Sequence, residues 1–178
     1  MGLFTTNPVL DMLKQDHTKV KELFEQFEEA KDFRSRERII QQTLFELDIH
    51  AKLEETLIYP AIREKIDEDK VMDEALEEHH VAHFLINELK RMRPTDDRYE
   101  AKFIVLGESI KHHVKKEEST MFPEAEKADI DWDELGKKVT KRKEDLMANK
   151  NNGERRPRKQ SRGQRRRGSR AGQLKKAA

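Results

Sequence analysis

Seven residues in this sequence have the types and the spacing to hold metal ions. His50 and Glu54 are four apart, as are His113 and Glu117, and His79 and His83, so each pair shares one face of a helix; His17 stands alone. The sequence has no cysteine, which excludes disulfides, thiolate catalysis, iron-sulfur clusters and cysteine-ligated zinc. Any metal must therefore bind through nitrogen and oxygen. Imidazole and carboxylate together suit iron, manganese or zinc, and two carboxylates from opposite helices can bridge two ions and offset their charge. Five histidines would divide three and two, leaving one ion a free position.

The face these groups occupy narrows the chemistry. His17 falls in the apolar stripe of Leu10, Leu13, Val20 and Phe24; His113 and Glu117 continue the stripe of Leu106 and Ile110; His50 and Glu54 follow Leu47. The polar groups are thus aimed at the core. A buried polar group without a partner costs roughly 2 to 7 kcal/mol, and a buried unpaired charge more, against a net domain stability of about 5 to 15 kcal/mol. Seven such groups must satisfy one another, and a metal is the simplest means. Two neighbours leave the register open: His80 adjoins His79, and His112 adjoins His113, with His112 and Glu117 five apart. The single stripe through Leu106, Ile110, His113 and Glu117 favours His113. His80 and His112 are expected on outer faces or behind the ligands; Glu55 and Glu118 are expected to face solvent in preference to supporting the ligands from behind; and Tyr59 and Phe122 read as ordinary core in preference to lining an oxygen approach.

Four long helices must position these groups. Asn7 followed by Pro8 predicts the start of a first helix reaching to about Lys31. A second pattern runs from about Ser35 past Ile62, with Ile40, Leu44, Leu47, Ala51 and Ile58 inward. Leu76, Ala82, Ile86, Leu89 and Met92 define a third, ended by Pro94. The fourth is expected to start near Thr95 as its cap, with Asp96 and Asp97 in its first turn, and to bury Phe103, Leu106, Ile110 and Val114. Asp131 and Glu134 resemble a capping box opening a short fifth helix, with Leu135, Val139 and Leu146 on one side, packed outside the bundle.

An internal repeat underlies the pattern. His50, Glu54, Glu55, Tyr59 and Pro60 match His113, Glu117, Glu118, Phe122 and Pro123, each 63 residues on. Asp16, His17 and Phe24 similarly match Glu78, His79 and Ile86, each 62 residues on. The bundle reads as two copies of a helical hairpin. The two prolines, ten residues after each histidine, remove a backbone hydrogen bond and are expected to kink or end their helices.

Charged residues make up 41% of the 178 and hydrophobic ones 34%, a balance that suits amphipathic helices with thickly charged outer faces. No apolar run approaches the roughly 20 residues that cross a bilayer, so no membrane partner and a cytoplasmic location are expected. Residues 150–178 hold 12 Lys or Arg against one acid, a net +11, which leaves 25 bases against 35 acids, or −10, in the rest. That segment has too little apolar surface to offset its ordering entropy, and it is expected to be a disordered tail. The predicted layout is an all-α, up-down-up-down four-helix bundle over 1–128, an accessory helix over 129–148 and a basic tail over 149–178.

The twice-present His-x3-Glu-Glu-x3-aromatic-Pro motif resembles the hemerythrin-like, HHE cation-binding family, over residues 8 to 125. The resemblance implies two carboxylate-bridged, non-haem iron ions. Their ligands would be His17 on the first helix, His50 and Glu54 on the second, His79 and His83 on the third, and His113 and Glu117 on the fourth. It further implies binding of oxygen or a peroxide-type small oxidant at the open iron position, for oxygen or iron handling, sensing or oxidative-stress defence. Whether the chain is a carrier, a sensor or a peroxidase-like enzyme is left open. The oxygen-carrying hemerythrins instead place a histidine and an aspartate five apart on the last helix. The ferritin-like di-iron class needs two Glu-x-x-His motifs, of which only Glu77 to His80 is present. The alternative is a metal-stabilised or iron-sensing binding module whose tail at 150–178 docks on nucleic acid through phosphate contacts.

Overall fold

Asn7 opens the first helix by accepting hydrogen bonds from the Val9 and Leu10 amides at 3.1 and 3.3 Å, and Pro8 comes next with its φ already helical. In the computed structural model, which describes residues 7–66 and 69–154, this helix, α1, spans Pro8–Glu29. Asp32 caps α2 through the Ser35 amide, and α2 runs Phe33–Leu53, through a π-helical turn Glu54–Ile58, to an α-helical turn Tyr59–Arg63. Helix α3 spans Asp69–Arg91. Helix α4 runs Tyr99–Lys116, then a π-helical turn Glu117–Met121, then Phe122–Lys127. Helix α5 spans Trp132–Glu154, with Asp131 Oδ1 accepting from the Glu134 amide. The helices α1 to α4 form the expected four-helix bundle from two antiparallel hairpins, and no strand occurs among the described residues.

Some local expectations change. Thr95 does not cap α4: Asp96 uses its carboxylate on the Arg93 amide and guanidinium, both at 2.9 Å, to close a turn, and α4 begins four residues later. Arg98, just before it, adopts the left-handed conformation at φ 69°, rare for a residue with a Cβ. Leu76 is 37% exposed rather than inward. The inward stripe of α3 is Met72, Ala75, His79, Ala82, Ile86 and Leu89, alternating three and four apart, and Leu76 lies one residue off it.

Pro60 and Pro123 neither break nor end their helices. Each sits just after a π-helical turn in which an amide reaches back five residues, Tyr59 to the Glu54 carbonyl and Phe122 to the Glu117 carbonyl. The extra residue in that turn rotates the rest of the helix about its axis, so Tyr59 and Phe122 face the interior. Such turns often mark functional sites, and both begin at a glutamate of the repeat.

Apolar residues bury in two clusters with the polar residues between them. One cluster gathers Leu10, Leu13, Leu53, Ile58 and Ile62 and is covered by Leu135 and Val139 of α5; the other gathers Val20, Phe24, Ile40, Leu44, Ile86 and Phe103. On α1, His17 sits between Leu13 and Val20; on α3, His79 sits between Ala75 and Ala82. Close approach of α1 and α4 uses Gly107, where a Cβ would stand 3.0 Å from the Phe24 ring. Helix α5 lies outside the bundle against α1 and α2, and at 23 residues is longer than the short accessory helix expected over 129–148. The disordered tail expected over 149–178 is corrected at its start, since 149–154 continue α5, and its remainder, 155–178, lies outside the described residues. Among the described residues, no helix is long and apolar enough to cross a membrane.

Candidate metal centre

The four helices each send one histidine to the same level of the bundle: His17, His50, His79 and His113, all buried. Their Nε2 atoms pair within each hairpin, His17 with His50 at 3.2 Å and His79 with His113 at 3.1 Å. Two nitrogens bound to one ion at about 2.1 Å and roughly a right angle would stand about 3.0 Å apart, so each pair is spaced as ligands of a single ion.

The two glutamates join the pairs. Glu54 places Oε1 3.1 Å from His50 Nε2 and Oε2 3.3 Å from His79 Nε2, one oxygen to each half. Glu117 Oε2 lies 3.2 Å from His17 Nε2 and 3.3 Å from His113 Nε2. Ligand atoms of His17, His50, Glu54 and Glu117 fall within 4.8 Å of one another, as do those of Glu54, His79 and His113. Both glutamates are nearly inaccessible, and Glu54 Oε1, Glu54 Oε2 and Glu117 Oε2 have no hydrogen-bond partner. Buried carboxylate oxygens without donors, facing nitrogens spaced for metal, fit cations with nitrogen and oxygen ligands.

His83 is the exception among the expected ligands. It is half-buried, and its Nε2 donates to Glu55 Oε1 at 2.8 Å, outside both groups, although its ring meets that of His79 edge-on. Lys21 stands at its position in the first repeat. His80 and His112 are outward, whereas their neighbours His79 and His113 are the buried members of each pair.

Outside the inward nitrogens lies a ring of acids. His17 Nδ1 donates to Glu118 at 2.8 Å, His79 Nδ1 to Glu55 at 2.9 Å, and His113 Nδ1 to Glu78 at 3.0 Å. Asp16 takes the corresponding place beside His50, at 3.7 Å. The expectation that Glu55 and Glu118 face solvent is therefore corrected: each accepts a hydrogen bond from an inward histidine of a neighbouring helix, aiming its Nε2 at the centre. The acid-histidine dipeptides Asp16-His17 and Glu78-His79, repeated 62 residues apart, signalled the other two acids. Glu118→Ala should weaken metal binding at the His17 half roughly 10 to 100-fold in a metal titration. A change under threefold would remove Glu118 from the site.

Tyr59 is the residue that core reading missed. Its hydroxyl donates to Glu117 Oε1 at 2.6 Å and lies 3.4 Å from His79 Nε2. Phe122, its repeat partner, has no hydroxyl and stacks on His17 instead. The Tyr-for-Phe difference between otherwise matching motifs was the available signal. Burial, with the Glu54 and Glu117 charges, pushes the Tyr59 phenol well above its usual range, so it stays a donor.

Without metal, protons hold the cluster together. Burial disfavours charge on His50, but the negative charge around it, that of Glu54 foremost, overcomes it and pushes its pKa up to about 10. His113 rises to about 9, where Glu117 and Glu78 outweigh burial. Burial also works against the Glu117 carboxylate, yet His113 and His17 hold it well below the usual carboxylate range. Raised histidines stabilise the fold fully below their unfolded value of 6.5, and that stability is lost as pH climbs through 9 and 10. The lowered glutamate stabilises it above 4.5, and that stability is lost as pH falls through its depressed value. The metal-free chain should thus melt highest between pH 4.5 and 6.5. A melting temperature still rising between pH 7 and 10 would contradict this.

Helical hairpins in duplicate, with histidine and glutamate pairs buried between two apolar cores, define a metal-binding four-helix bundle. Residues 9–125 match the Hemerythrin HHE cation binding domain, and the chain belongs to that family. A solved structure, of a Hemerythrin HHE cation binding domain-containing protein from Mycobacterium kansasii, superposes with a TM-score of 0.65 at 28% identity, over 78% of this chain and 86% of that one. An uncharacterized protein of Mycobacterium tuberculosis is 30% identical over 145 residues, 76% of this chain and 85% of the relative. A DNA nickase of Nostoc sp. is 27% identical over 114 residues, 64% of this chain; the match spans only 32% of the nickase.

Proposed function

We propose that the chain binds two non-haem iron ions and takes up oxygen or a related small oxidant at a free position on one of them, in oxygen or iron handling, sensing or oxidative-stress defence. His17 and His50 would hold one ion, His79 and His113 the other, and Glu54 and Glu117 both; His83 would join the second only by releasing Glu55. Imidazole with carboxylate suits iron, and the fit rests on the donor-less glutamate oxygens between paired nitrogens. When bound, an iron pair supplies electrons to an oxidant and an open coordination position.

The observation that supports the oxidant is a small cavity of about 30 Å³ against the histidine rings, walled by Val20, Leu47, Ala82, Ile86, Ile110 and Val114. Its size admits one or two water-sized molecules and its apolar wall favours a small uncharged one. His83, half-buried, also lines the cavity. Tyr59 keeps a proton on its hydroxyl and donates it in a hydrogen bond to Glu117 Oε1.

Protein from iron-supplied cells should carry about two irons per chain. It should gain near-ultraviolet and visible absorption that depends on oxygen after reduction. Two zinc ions, or a spectrum indifferent to oxygen, would reject this function.

The split between a −10 body and a +11 segment at 150–178 favours a second reading, in which that segment carries the metal domain to nucleic acid. A DNA nickase among its relatives is in keeping with it. Removing 155–178 should abolish salt-sensitive DNA binding; full retention would exclude the role.

A further inference from the structure

The repeat makes each half of the site a control for the other. In the second half Glu78 divides its carboxylate: Oε2 accepts from His113 Nδ1 and Oε1 from Lys116 Nζ, each at 3.0 Å. In the first half the matching acid is Asp16, but the position matching Lys116 is Leu53. Leu53 is fully buried, in the cluster that Leu135 and Val139 of α5 cover. The missing cation comes from α5 itself. Lys143 Nζ donates to both oxygens of Asp16, 2.7 Å from each, with the two side chains only 20% and 15% exposed.

That two-handed grip has a visible result. Asp16 Oδ2 stands 3.7 Å from His50 Nδ1, beyond hydrogen-bond reach, and His50 Nδ1 is buried without a hydrogen bond. The Nδ1 atoms of His17, His79 and His113 each have an acid within 3.0 Å.

We infer that α5 is part of the metal centre: Lys143 withholds the Asp16 carboxylate from His50 and keeps the half-site of His17 and His50 the weaker of the two for a divalent cation. An acid on Nδ1 fixes an imidazole and raises the donor strength of its Nε2, and His50 lacks that support. Lys143 touches neither the inward nitrogens nor the bridging glutamates, so it is a positioning residue acting through Asp16. An anchor that merely fastened α5 would behave oppositely: losing it would loosen the site.

The inference rests on the two-ion reading, and anaerobic titration of the full chain with Fe2+ separates the two. The unaltered chain should bind two Fe2+ with unequal affinity. Lys143→Met should tighten the weaker site about tenfold, the lower end of what an outer partner contributes. Lys143→Arg should leave both affinities as they were, and adding Asp16→Asn to Lys143→Met should remove the gain. If Lys143→Met does not fold, Lys143→Gln, which lacks the charge, carries the same comparison. Unchanged or weaker binding on losing the lysine, or a gain that survives without Asp16, overturns the inference while the di-iron reading stands. Fewer than two Fe2+ in the unaltered chain overturns both.

Discussion

Glu117→Ala is expected to empty both halves of the metal centre. One oxygen, Glu117 Oε2, lies within 3.3 Å of Nε2 on both His17 and His113, which belong to different hairpins, so its loss should reach both halves. The loss of affinity should exceed the roughly 100-fold upper range for an outer partner. His113→Ala should cost at least one ion, and His112→Ala neither, because His112 is 63% exposed and His113 is buried. Metal analysis after desalting decides: Glu117→Ala retaining two ions would end its bridging assignment. The same variant should lose the stabilisation that metal gives the native chain, about 4 kcal/mol when metal stands a thousandfold above its dissociation constant. Chelation of the unaltered protein should lower its melting temperature likewise.

Phe103→Ala should produce the largest loss of stability without loss of metal. Phe103 is fully buried in the cluster away from α5, its ring 4.9 Å from that of Phe24 and 4.8 Å from that of Phe27. Truncating a buried phenylalanine costs about 3 to 5 kcal/mol through lost burial and the cavity left behind. At roughly 2 to 4 °C per kcal/mol for a domain of this size, melting should fall by about 6 to 20 °C. Metal content should not change, since no histidine of the centre belongs to that cluster. A fall under 2 °C would contradict the packing described for Phe103. Loss of metal comparable to Glu117→Ala would mean that the two layers are not independent.

The inward histidines and glutamates were legible because helical periodicity places them on the same stripes as Leu10, Leu106 and Leu47, and because the repeat states the pattern twice. The acids behind them were not. Glu55 and Glu118 sit on polar flanks that look alike whether they meet water or a neighbouring helix. Only the packing of α2 beside α3, and of α4 beside α1, brings them within 2.9 Å of His79 and His17. Leu76 and Thr95 were misplaced for local reasons: a stripe read one residue off, and a turn that engaged Asp96 before the helix began.

Spacing along single helices was enough to determine the four-helix bundle, the duplication and the identity of the inward polar residues. Tertiary structure settled every contact that crosses between helices. It turned Tyr59 into a donor to Glu117, joined His83 to Glu55 outside the ligand groups, and brought Lys143 of α5 to Asp16, 127 residues away in sequence. Periodicity fixes which way a side chain faces around its own axis. It carries no information on the axial level at which a neighbouring helix presents its own groups, and that level sets every contact between the halves of this site.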